Sequence, residues 1–480
     1  MKTSLSNFAF NSIKWSGFSQ FGRQGFQIVT SIILARLLLP EDFGLVGMAF
    51  IIIGFLNILK DLGTSAAIIQ KGDVEDKLLS SVFWLNVTFG ICITAILICF
   101  SKYISLLFND VRVGPILNVL SLSFFMTSLG NVHQAMLEKK LQFKKLAKIE
   151  IIATSVGSVL GILSAFGGLK VWSLVIQSLS TIFINSALLW YFEKWHPRFY
   201  IHIVELKSLF RFSSFLTGFN FFNYFTRNAD NFLIGKYLGA YNLGYYNLAY
   251  RMMLYPLQSI TVVISRVMYP LYSSIKNDHE RFRTIYIKVA QSIALITFPL
   301  MIFMIVVRHE LILNVFGKNW IPSEILILIL APVGMIQSVD ATVGLIYQST
   351  GRTDILFKWG LGSGIIAVIV FIVGLKWGII GVATGYMIYS FALFIPGLYI
   401  PFKLIGLKVV VFLENLLRIF LISLSMGILV YSAGLIIKVP GISELIIKSM
   451  IALVIYVSFN YVFNKKIISE ILEIVRKIEK

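Results

Sequence analysis

The stretch Leu34-Ala-Arg-Leu-Leu-Leu-Pro-Glu-Asp-Phe-Gly44 closes the first apolar segment of this 480-residue chain and recurs as Ile234-Gly-Lys-Tyr-Leu-Gly-Ala-Tyr-Asn-Leu-Gly244. Five positions align at one offset of 200 residues: Ala35 with Gly235, Arg36 with Lys236, Leu38 with Leu238, Gly44 with Gly244, and Ala49 with Ala249. Self-similarity at a fixed spacing indicates an internal duplication. The chain is therefore expected to contain two related halves.

Composition places these halves in a membrane. Hydrophobic residues make up 57% of the chain, charged residues 14%, and the mean hydropathy is +0.84, far from ordinary globular usage. At roughly 20 residues per crossing, the sequence predicts an all-α integral membrane protein with about fourteen transmembrane helices. The expected spans are 13–36, 44–66, 81–103, 115–136, 149–168, 172–192, 211–238, 242–272, 286–308, 323–347, 355–374, 378–400, 412–437 and 441–463.

The repeated motif closes the first and the seventh span, so each copy contains six helices. We expect an N-terminal six-helix lobe at 1–210, a C-terminal six-helix lobe at 211–405, and two additional helices with a cytoplasmic tail at 406–480. Because six is an even number, both copies begin on the same side of the membrane. They are parallel repeats around a central cavity, which is the usual place for a transporter's site.

The net charge of +19 follows this topology. Lysine is dense in alternate connections, as in the run of 139–148, whereas the connection after the first span carries only Arg36. Such alternation is the positive-inside pattern and predicts that both termini are cytoplasmic. The charge therefore indicates contact with membrane lipids, and no nucleic-acid partner is expected.

A polar stripe crosses the first span. Gln20, Arg23 and Gln27 are spaced by three and four residues, which places them on one helical face. Charged side chains deep in a membrane helix usually face a cavity or a partner. Arg23 has no acidic residue within its own helix turn, so a cavity-lining role is favoured.

The seventh and eighth spans carry similar stripes. Arg227 shares a face with Asp230 and Asn231, and Asn223 extends this face, while Arg251 and Gln258 fall together in the next span. Guanidinium groups offer forked donors that suit phosphate oxygens. The alternative for Arg227 and Asp230 is an ion pair within the helix.

Other intramembrane polar residues have weaker assignments. Asp230 and Asp340 are ion-coupling candidates, although Asp340 can equally be a hydrogen-bonded core carboxyl. His133 is interpreted as a packing or interfacial residue rather than a proton relay. Lys60, Arg266, Arg418 and Lys448 lie toward span ends, where long side chains can snorkel to the interface.

The sequence contains no catalytic signature. It has no phosphate-binding Gly-Lys-Ser/Thr loop, no paired Cys or His cluster and no nucleophile elbow. Cys92 and Cys99 are seven residues apart on one helix, too far for a disulfide. We therefore expect no enzyme activity, no catalytic residue, no metal site and no cofactor. Energy would come from an H⁺ or Na⁺ gradient or the membrane potential.

The motif 34–45, the following Asp61-Leu-Gly, and the run Asn228-Ala-Asp-Asn-Phe-Leu-Ile-Gly-Lys-Tyr-Leu-Gly239 with Leu243-Gly-Tyr-Tyr-Asn-Leu-Ala-Tyr250 resemble the bacterial Wzx-type polysaccharide and lipopolysaccharide flippases. These belong to the multidrug/oligosaccharidyl-lipid/polysaccharide exporter superfamily. The resemblance implies a V-shaped pair of six-helix lobes with two further helices, working by alternating access in the bacterial cytoplasmic membrane.

The resemblance also implies a cargo. This would be an undecaprenyl-pyrophosphate-linked oligosaccharide, moved from the inner to the outer leaflet by a monomeric protein alongside the polysaccharide polymerase machinery. In related flippases, arginines on the first, second and eighth helices bind the pyrophosphate. Arg23 and Arg251 occupy comparable helices, whereas the second helix offers only Lys60.

Three alternatives remain open from the sequence. One is a multidrug cation exporter of the same superfamily, which would favour acidic cavity residues. A membrane enzyme acting on lipid-linked sugars is a second, although the connections are short. A third is an assembly scaffold that transports nothing.

Overall fold

The computed structural model describes residues 22–60, 68, 75–200, 203–437, 439 and 441–465; side chains are described in these ranges except at 59–60, 203–223, 258–263 and 265–267. The described chain is helical and contains no β-strand. The helices are α1 (22–37), α2 (Pro40–Lys60), α3 (Asp76–Leu107), α4 (Val113–Lys139), α5 (Phe143–Phe166), α6 (Val171–Phe192), α7 (Ile203–Ser274), α8 (His279–Val306), α9 (Arg308–Leu311), α10 (Ser323–Asp340), α11 (Val343–Ser349), α12 (Thr353–Gly374), α13 (Gly378–Ile405), α14 (Val409–Ile436) and α15 (Ile442–Phe463).

These helices follow the predicted spans. Ten segments of the described ranges are long and apolar enough to cross a membrane, and one of them, Thr353–Ile405, holds both α12 and α13. Helix α1 and the two arms of α7 correspond to the remaining predicted spans, the first, seventh and eighth. The expectation of an all-α membrane protein with about fourteen spans is confirmed.

Contacts divide the chain into two compact units, Met1–Asn247 and Leu248–Lys480. We refer to them as the N-terminal and C-terminal units. The predicted six-helix lobes at 1–210 and 211–405, with two additional helices at 406–480, stay a prediction. The first arm of α7 belongs to the N-terminal unit because it packs on α2.

The two copies of the motif fold as equivalent helix breaks. α1 ends at residue 37 and α2 starts at Pro40, where the missing N–H costs no helical hydrogen bond. Asp42 accepts a hydrogen bond from the Leu39 N–H at 3.0 Å. At the corresponding place α7 is interrupted at Gly239, with φ 82° and ψ 178°, a region open mainly to glycine. The Asn242 amide donates back to the Leu238 carbonyl at 2.7 Å.

Two glycines let the breaks approach each other. A Cβ placed on Gly44 would overlap the carbonyl oxygen of Ala240, and a Cβ on Gly244 would overlap the carbonyl oxygen of Pro40. The contact is reciprocal, since residues 40 and 240 are also equivalent by the repeat. Small residues that allow backbone contact are the usual means of packing membrane helices.

The contact between α2 and α7 continues along α2. A Cβ on Gly47 would lie 2.6 Å from the Asn247 amide nitrogen, and one on Gly54 would fall on the Tyr224 hydroxyl. That hydroxyl donates to the Ile51 carbonyl at 2.8 Å. The repeat motif therefore folds into a helix-packing surface, in keeping with the residues it conserves between copies.

Charged residues close the same end of the N-terminal unit. Arg112, between α3 and α4, contacts Glu41 at 2.6 Å and Asp110 at 2.8 Å. The hydrogen bonds from Arg112 hold the pKa of the Asp110 carboxyl below its usual range. The resulting stabilisation is present above the ordinary carboxyl pKa and is lost as the pH falls through the depressed value.

The remaining helices of this unit pack through small and hydroxyl residues. Thr94 of α3 donates to the Ser121 carbonyl of α4 at 2.9 Å, and Ser186 of α6 donates to the Met126 carbonyl at 2.7 Å. A Cβ on Gly157 of α5 would fall on the Thr181 hydroxyl of α6. These bonds satisfy side chains that lipid could not.

The C-terminal unit has an aromatic core. Tyr286 of α8 packs against Phe402 of α13 with ring centroids 5.6 Å apart and against Phe412 of α14 at 5.8 Å. Tyr272 stacks on Phe282 at 4.6 Å. The two C-terminal helices are joined to this body, since the Tyr456 hydroxyl of α15 donates to the Leu295 carbonyl of α8 at 2.7 Å.

Replacing Gly44 or Gly244 with alanine is expected to destabilise the protein by about 1–3 kcal/mol each, because the added methyl group meets backbone that cannot rotate away. The measurement is the thermal unfolding midpoint of the detergent-solubilised protein, monitored by size-exclusion chromatography after heating. Gly344→Ala is the control, since nothing lies within 4 Å of a Cβ at that position. Midpoints equal to that of the wild type for both variants would contradict the packing role.

Candidate functional site

Arg23 lies on α1 with 35% of its side chain exposed. Its guanidinium is 3.9 Å from the Glu150 carboxylate of α5, an ion pair longer than a hydrogen bond. Gln27, one turn further along α1, is exposed. Glu150 lies on a different helix from Arg23, so the residues of Arg23's own helix turn could not reveal this partner. Its one signal in the sequence is a glutamate inside an apolar helix.

The polar face of α7 has an exposed part and a buried part. Arg227 is exposed, whereas Asp230 is 2% exposed and Asn231 is 8% exposed. The Asp230 carboxylate accepts hydrogen bonds from the Tyr246 hydroxyl at 2.8 Å and from the Asn231 N–H at 2.7 Å. No salt bridge joins Arg227 to Asp230 among the residues described, so the alternative of an ion pair within the helix is not observed.

The helix break explains this division. Residues near Gly239 are enclosed where α7 crosses α2: a Cβ on Gly235 would lie 3.3 Å from atoms of Met48, Leu243 and Phe108. Asp230 and Asn231 lie toward that enclosed end. Arg227 lies one turn further from the crossing, and its side chain is left exposed.

The second arm of α7 carries Arg251, which is exposed. In the same unit Gln337 of α10 hydrogen bonds to the Tyr386 hydroxyl of α13. Asp340, the last residue of α10, is exposed, and a Cβ on Gly397 of α13 would lie 3.9 Å from its carboxylate. Asp340 is therefore an open carboxylate rather than an enclosed core residue.

Some predicted residues cannot be placed. Gln20 lies outside the described residues, and so do the side chains of Asn223, Gln258 and Lys60. The assignments of Gln20, Asn223, Gln258 and Asn231 to the substrate site, and of Lys60 to a span end, stay predictions.

His133 is a packing residue, as expected from the sequence. Its ring is 0% exposed and stacks on Trp190 with centroids 4.5 Å apart. Nε2 lies 3.1 Å from the Trp195 carbonyl oxygen. The ring thus helps hold the extended segment after α6. Lys140 binds the same segment through an ion pair with Glu193, in which the ammonium lies 2.8 Å from a carboxylate oxygen.

The expectation that Lys448 snorkels is wrong. Lys448 of α15 is 7% exposed, and its ammonium contacts both Glu310 and Glu444. Burial raises the pKa of Glu310, but the hydrogen bond and charge of Lys448, a backbone hydrogen bond and the charge of His309 together outweigh burial and leave that pKa below its usual range. The sequence could not reveal this pairing, because Glu310 is distant along the chain.

The intramembrane charges therefore fall into two groups. Lys448 and Asp230 are enclosed and hydrogen bonded, as structural polar groups are. Arg227, Arg251 and Asp340 are exposed on apolar helices, where charged side chains usually face a cavity or a partner. Within the described ranges no group of three or more His, Cys, Asp or Glu could hold a metal ion. Exposed guanidinium groups can bind an anion without metal chemistry.

Comparison with known families decides the kind of protein. The model of the family described as "Polysaccharide biosynthesis protein" matches residues 33–325, more than half of the chain. The chain belongs to this family, the Wzx-type polysaccharide flippases.

Curated relatives of this Wzx-type flippase share most of its length. It is 28% identical over 443 residues to the teichuronic acid biosynthesis protein TuaB of Bacillus subtilis (strain 168), covering 90% of each chain. It is 27% identical to the lipopolysaccharide biosynthesis protein WzxC of Escherichia coli (strain K12), covering 91% of this chain and 89% of the relative. It is 26% identical to the succinoglycan biosynthesis transport protein ExoT of Rhizobium meliloti (strain 1021), covering 73% and 71%.

The fold of this Wzx-type flippase also has a solved counterpart. The inward closed conformation of the lipid II flippase MurJ superposes with a TM-score of 0.74 at 17% identity, covering 96% of this chain and 99% of that one. This confirms the transporter fold that the duplicated motif predicted. The protein is a multi-pass membrane protein of polysaccharide biosynthesis, and among the proteins it resembles ExoT is named a transport protein and MurJ a flippase.

The bond between Asp230 and Tyr246 predicts a stability coupling across the break in α7. Tyr246→Phe is expected to cost about 1–3 kcal/mol, because it removes one of the two hydrogen-bond donors to a buried carboxylate. Asp230→Ala should cost less in the Tyr246→Phe background than in the wild type. Thermal midpoints of the single and double variants measure this, with Tyr241→Phe, an exposed tyrosine of the same arm, as the control. Additive effects would show that the two residues act separately.

Proposed function

We propose that the protein flips undecaprenyl-pyrophosphate-linked oligosaccharide repeat units from the inner to the outer leaflet of the bacterial cytoplasmic membrane, by alternating access. Membership of the polysaccharide biosynthesis family carries this proposal. The similarity to TuaB, WzxC and ExoT supports a role in moving precursors of surface polymers. A lipid-linked precursor needs such a transporter because its charged and sugar groups cannot cross hydrocarbon unaided.

The proposed pyrophosphate ligands are Arg23, Arg227 and Arg251. Each guanidinium stays charged at physiological pH and presents several donors to phosphate oxygens. Arg227 and Arg251 are exposed on membrane helices, and Arg23 is partly exposed. Arg23 would exchange its long ion pair with Glu150, at 3.9 Å, for the incoming anion. Gln20, Gln27, Asn223, Asn231 and Gln258 are proposed to hydrogen bond the cargo.

The proposed energy source is an H⁺ or Na⁺ gradient or the membrane potential. Asp230 and Asp340 are the candidate coupling groups. Asp340 is the more accessible of the two, because it is exposed while Asp230 is enclosed with Tyr246. A carboxylate that binds or releases a cation must be reached by that cation.

The proposed topology places both termini in the cytoplasm, as the positive charge of alternate connections favours. The functional unit is proposed to be a monomer supplying repeat units to a polysaccharide polymerase. The 34–44 motif would then lie at the outer surface.

Substituting the arginines tests the headgroup assignment. Arg23→Ala, Arg227→Ala and Arg251→Ala are each expected to reduce flipping of a fluorescent undecaprenyl-pyrophosphate-linked glycan in proteoliposomes by about tenfold or more, since a charge-assisted contact is lost. Lysine at the same positions should retain part of the rate. The measurement is protection of the probe from a membrane-impermeant quencher.

Arg36→Ala is the matched control, because Arg36 is an exposed arginine at the other end of α1. Size-exclusion profiles establish that each variant remains folded. A rate for Arg227→Ala equal to that of the wild type would remove that residue from the site. Transport of a lipophilic cation but of no lipid-linked glycan by the wild type would favour the multidrug alternative.

Collapsing the gradients tests energy coupling. Flipping is expected to slow when the driving H⁺ or Na⁺ gradient is dissipated with a selective ionophore, because the cation then no longer favours one direction. Asp340→Asn should give a rate that no longer responds to the ionophore. Glu414→Gln, which removes a carboxyl from an exposed site on α14, serves as the charge control. Transport insensitive to the collapse of every gradient would refute coupling.

A further inference from the structure

A row of three tyrosines crosses the C-terminal unit. Tyr250 on the second arm of α7 stacks toward Tyr386 on α13, with ring centroids 6.3 Å apart and planes inclined by 24°. Tyr386 continues to Tyr389, again at 6.3 Å, with planes inclined by 27°. Two helices that are distant along the chain thus present their rings in one nearly parallel series, which we call the tyrosine row.

The tyrosine row differs from the tyrosines of the core. Tyr272, Tyr286 and Tyr347 of the same unit are 0% exposed and belong to its apolar core. The three rings of the row are only half-buried, so part of each ring surface remains open. Core packing encloses the first three tyrosines completely, whereas each tyrosine of the row keeps part of its side chain accessible.

Neighbouring side chains hold the row in place. Gln337 of α10 hydrogen bonds to the Tyr386 hydroxyl, and Phe371 of α12 packs edge-on against the Tyr386 ring with centroids 5.5 Å apart. The central ring is therefore oriented by one polar and one apolar contact from two further helices. Preorganised aromatic faces with a few fixed polar groups are typical of small-ligand sites.

The chemistry of the row suits a carbohydrate. A sugar ring has apolar C–H faces that can lie on aromatic rings, and hydroxyl groups at its edge that bond with amides and phenols. A phosphate would require cations, and a lipid chain would gain nothing from the amide and phenol groups. Arg251 follows Tyr250 directly and is exposed. The row thus begins one residue along α7 from a proposed pyrophosphate ligand.

We propose that Tyr250, Tyr386 and Tyr389, together with Gln337, form a glycan-binding subsite of the C-terminal unit. The assignment rests on the proposed function, because it supposes that the cargo carries a glycan. The subsite discriminates between lipid pyrophosphates with and without sugars, whereas the arginines bind the headgroup common to both.

Equilibrium binding to the purified protein tests the subsite without requiring transport. The two probes are undecaprenyl pyrophosphate and the undecaprenyl-pyrophosphate-linked repeat unit extracted from cells that produce the protein. The wild type is expected to bind the glycan-linked probe about tenfold more tightly. Tyr386→Ala and Tyr250→Ala should abolish this preference while leaving the Kd of the bare lipid pyrophosphate unchanged. Tyr386→Phe keeps the ring and should retain most of the preference.

Tyr399→Ala is the matched control, because Tyr399 lies on the same helix as Tyr386 and is 61% exposed, outside the row. Unchanged binding of the bare lipid pyrophosphate also shows that each variant is folded. A wild type without preference for the glycan, or a preference that survives Tyr386→Ala and Tyr250→Ala, would overturn the subsite. If the wild type binds with the expected preference but flips neither probe, the proposed function fails while the subsite stands.

Discussion

The N-terminal unit depends on one close backbone contact, in which Gly44 meets the Ala240 carbonyl and Gly244 meets the Pro40 carbonyl. Membrane helices gain no hydrophobic energy by leaving lipid for one another, so close packing and hydrogen bonds must hold them. A reciprocal contact between equivalent residues satisfies both copies of the motif at once. It also packs α2 against α7 on both sides of Gly239 within the N-terminal unit, and the Tyr224 bond and the enclosure of Asp230 follow from that packing.

Burial separates the charged residues that have a structural role from those that remain accessible. Near the crossing, Asp230 is shut away and hydrogen bonded, while Arg227, one turn further, is open. In the C-terminal unit Lys448 is shut away with two glutamates, while Arg251 and Asp340 are open. Buried polar groups with partners stabilise a single arrangement, whereas exposed charges within apolar helices are available to a charged cargo or a coupling ion. The proposed function uses the second group.

The C-terminal unit adds a surface of another chemistry. Its fully buried tyrosines fill the core, and the half-buried tyrosine row offers ring faces beside Arg251. A cargo with an anionic headgroup and a sugar chain needs both kinds of contact. Headgroup binding by arginines cannot distinguish one lipid-linked glycan from another, so discrimination among glycans has to come from groups such as these rings and Gln337.

The sequence by itself determined the membrane class, the helices and their approximate ends, the duplication, and the charged residues worth considering. These depend on composition and local periodicity; the membrane class and the helices were confirmed where the structure describes them, while the charged residues stay candidates. It even marked Gly44 and Gly244, although it could not say that they touch. The tertiary structure alone decided that Glu150 faces Arg23, that Tyr246 binds Asp230, that Lys448 is buried with Glu310, and that Tyr250 stacks toward Tyr386. The reason is physical: partners far apart in the chain are brought together by helix packing, which helical periodicity within one segment cannot encode.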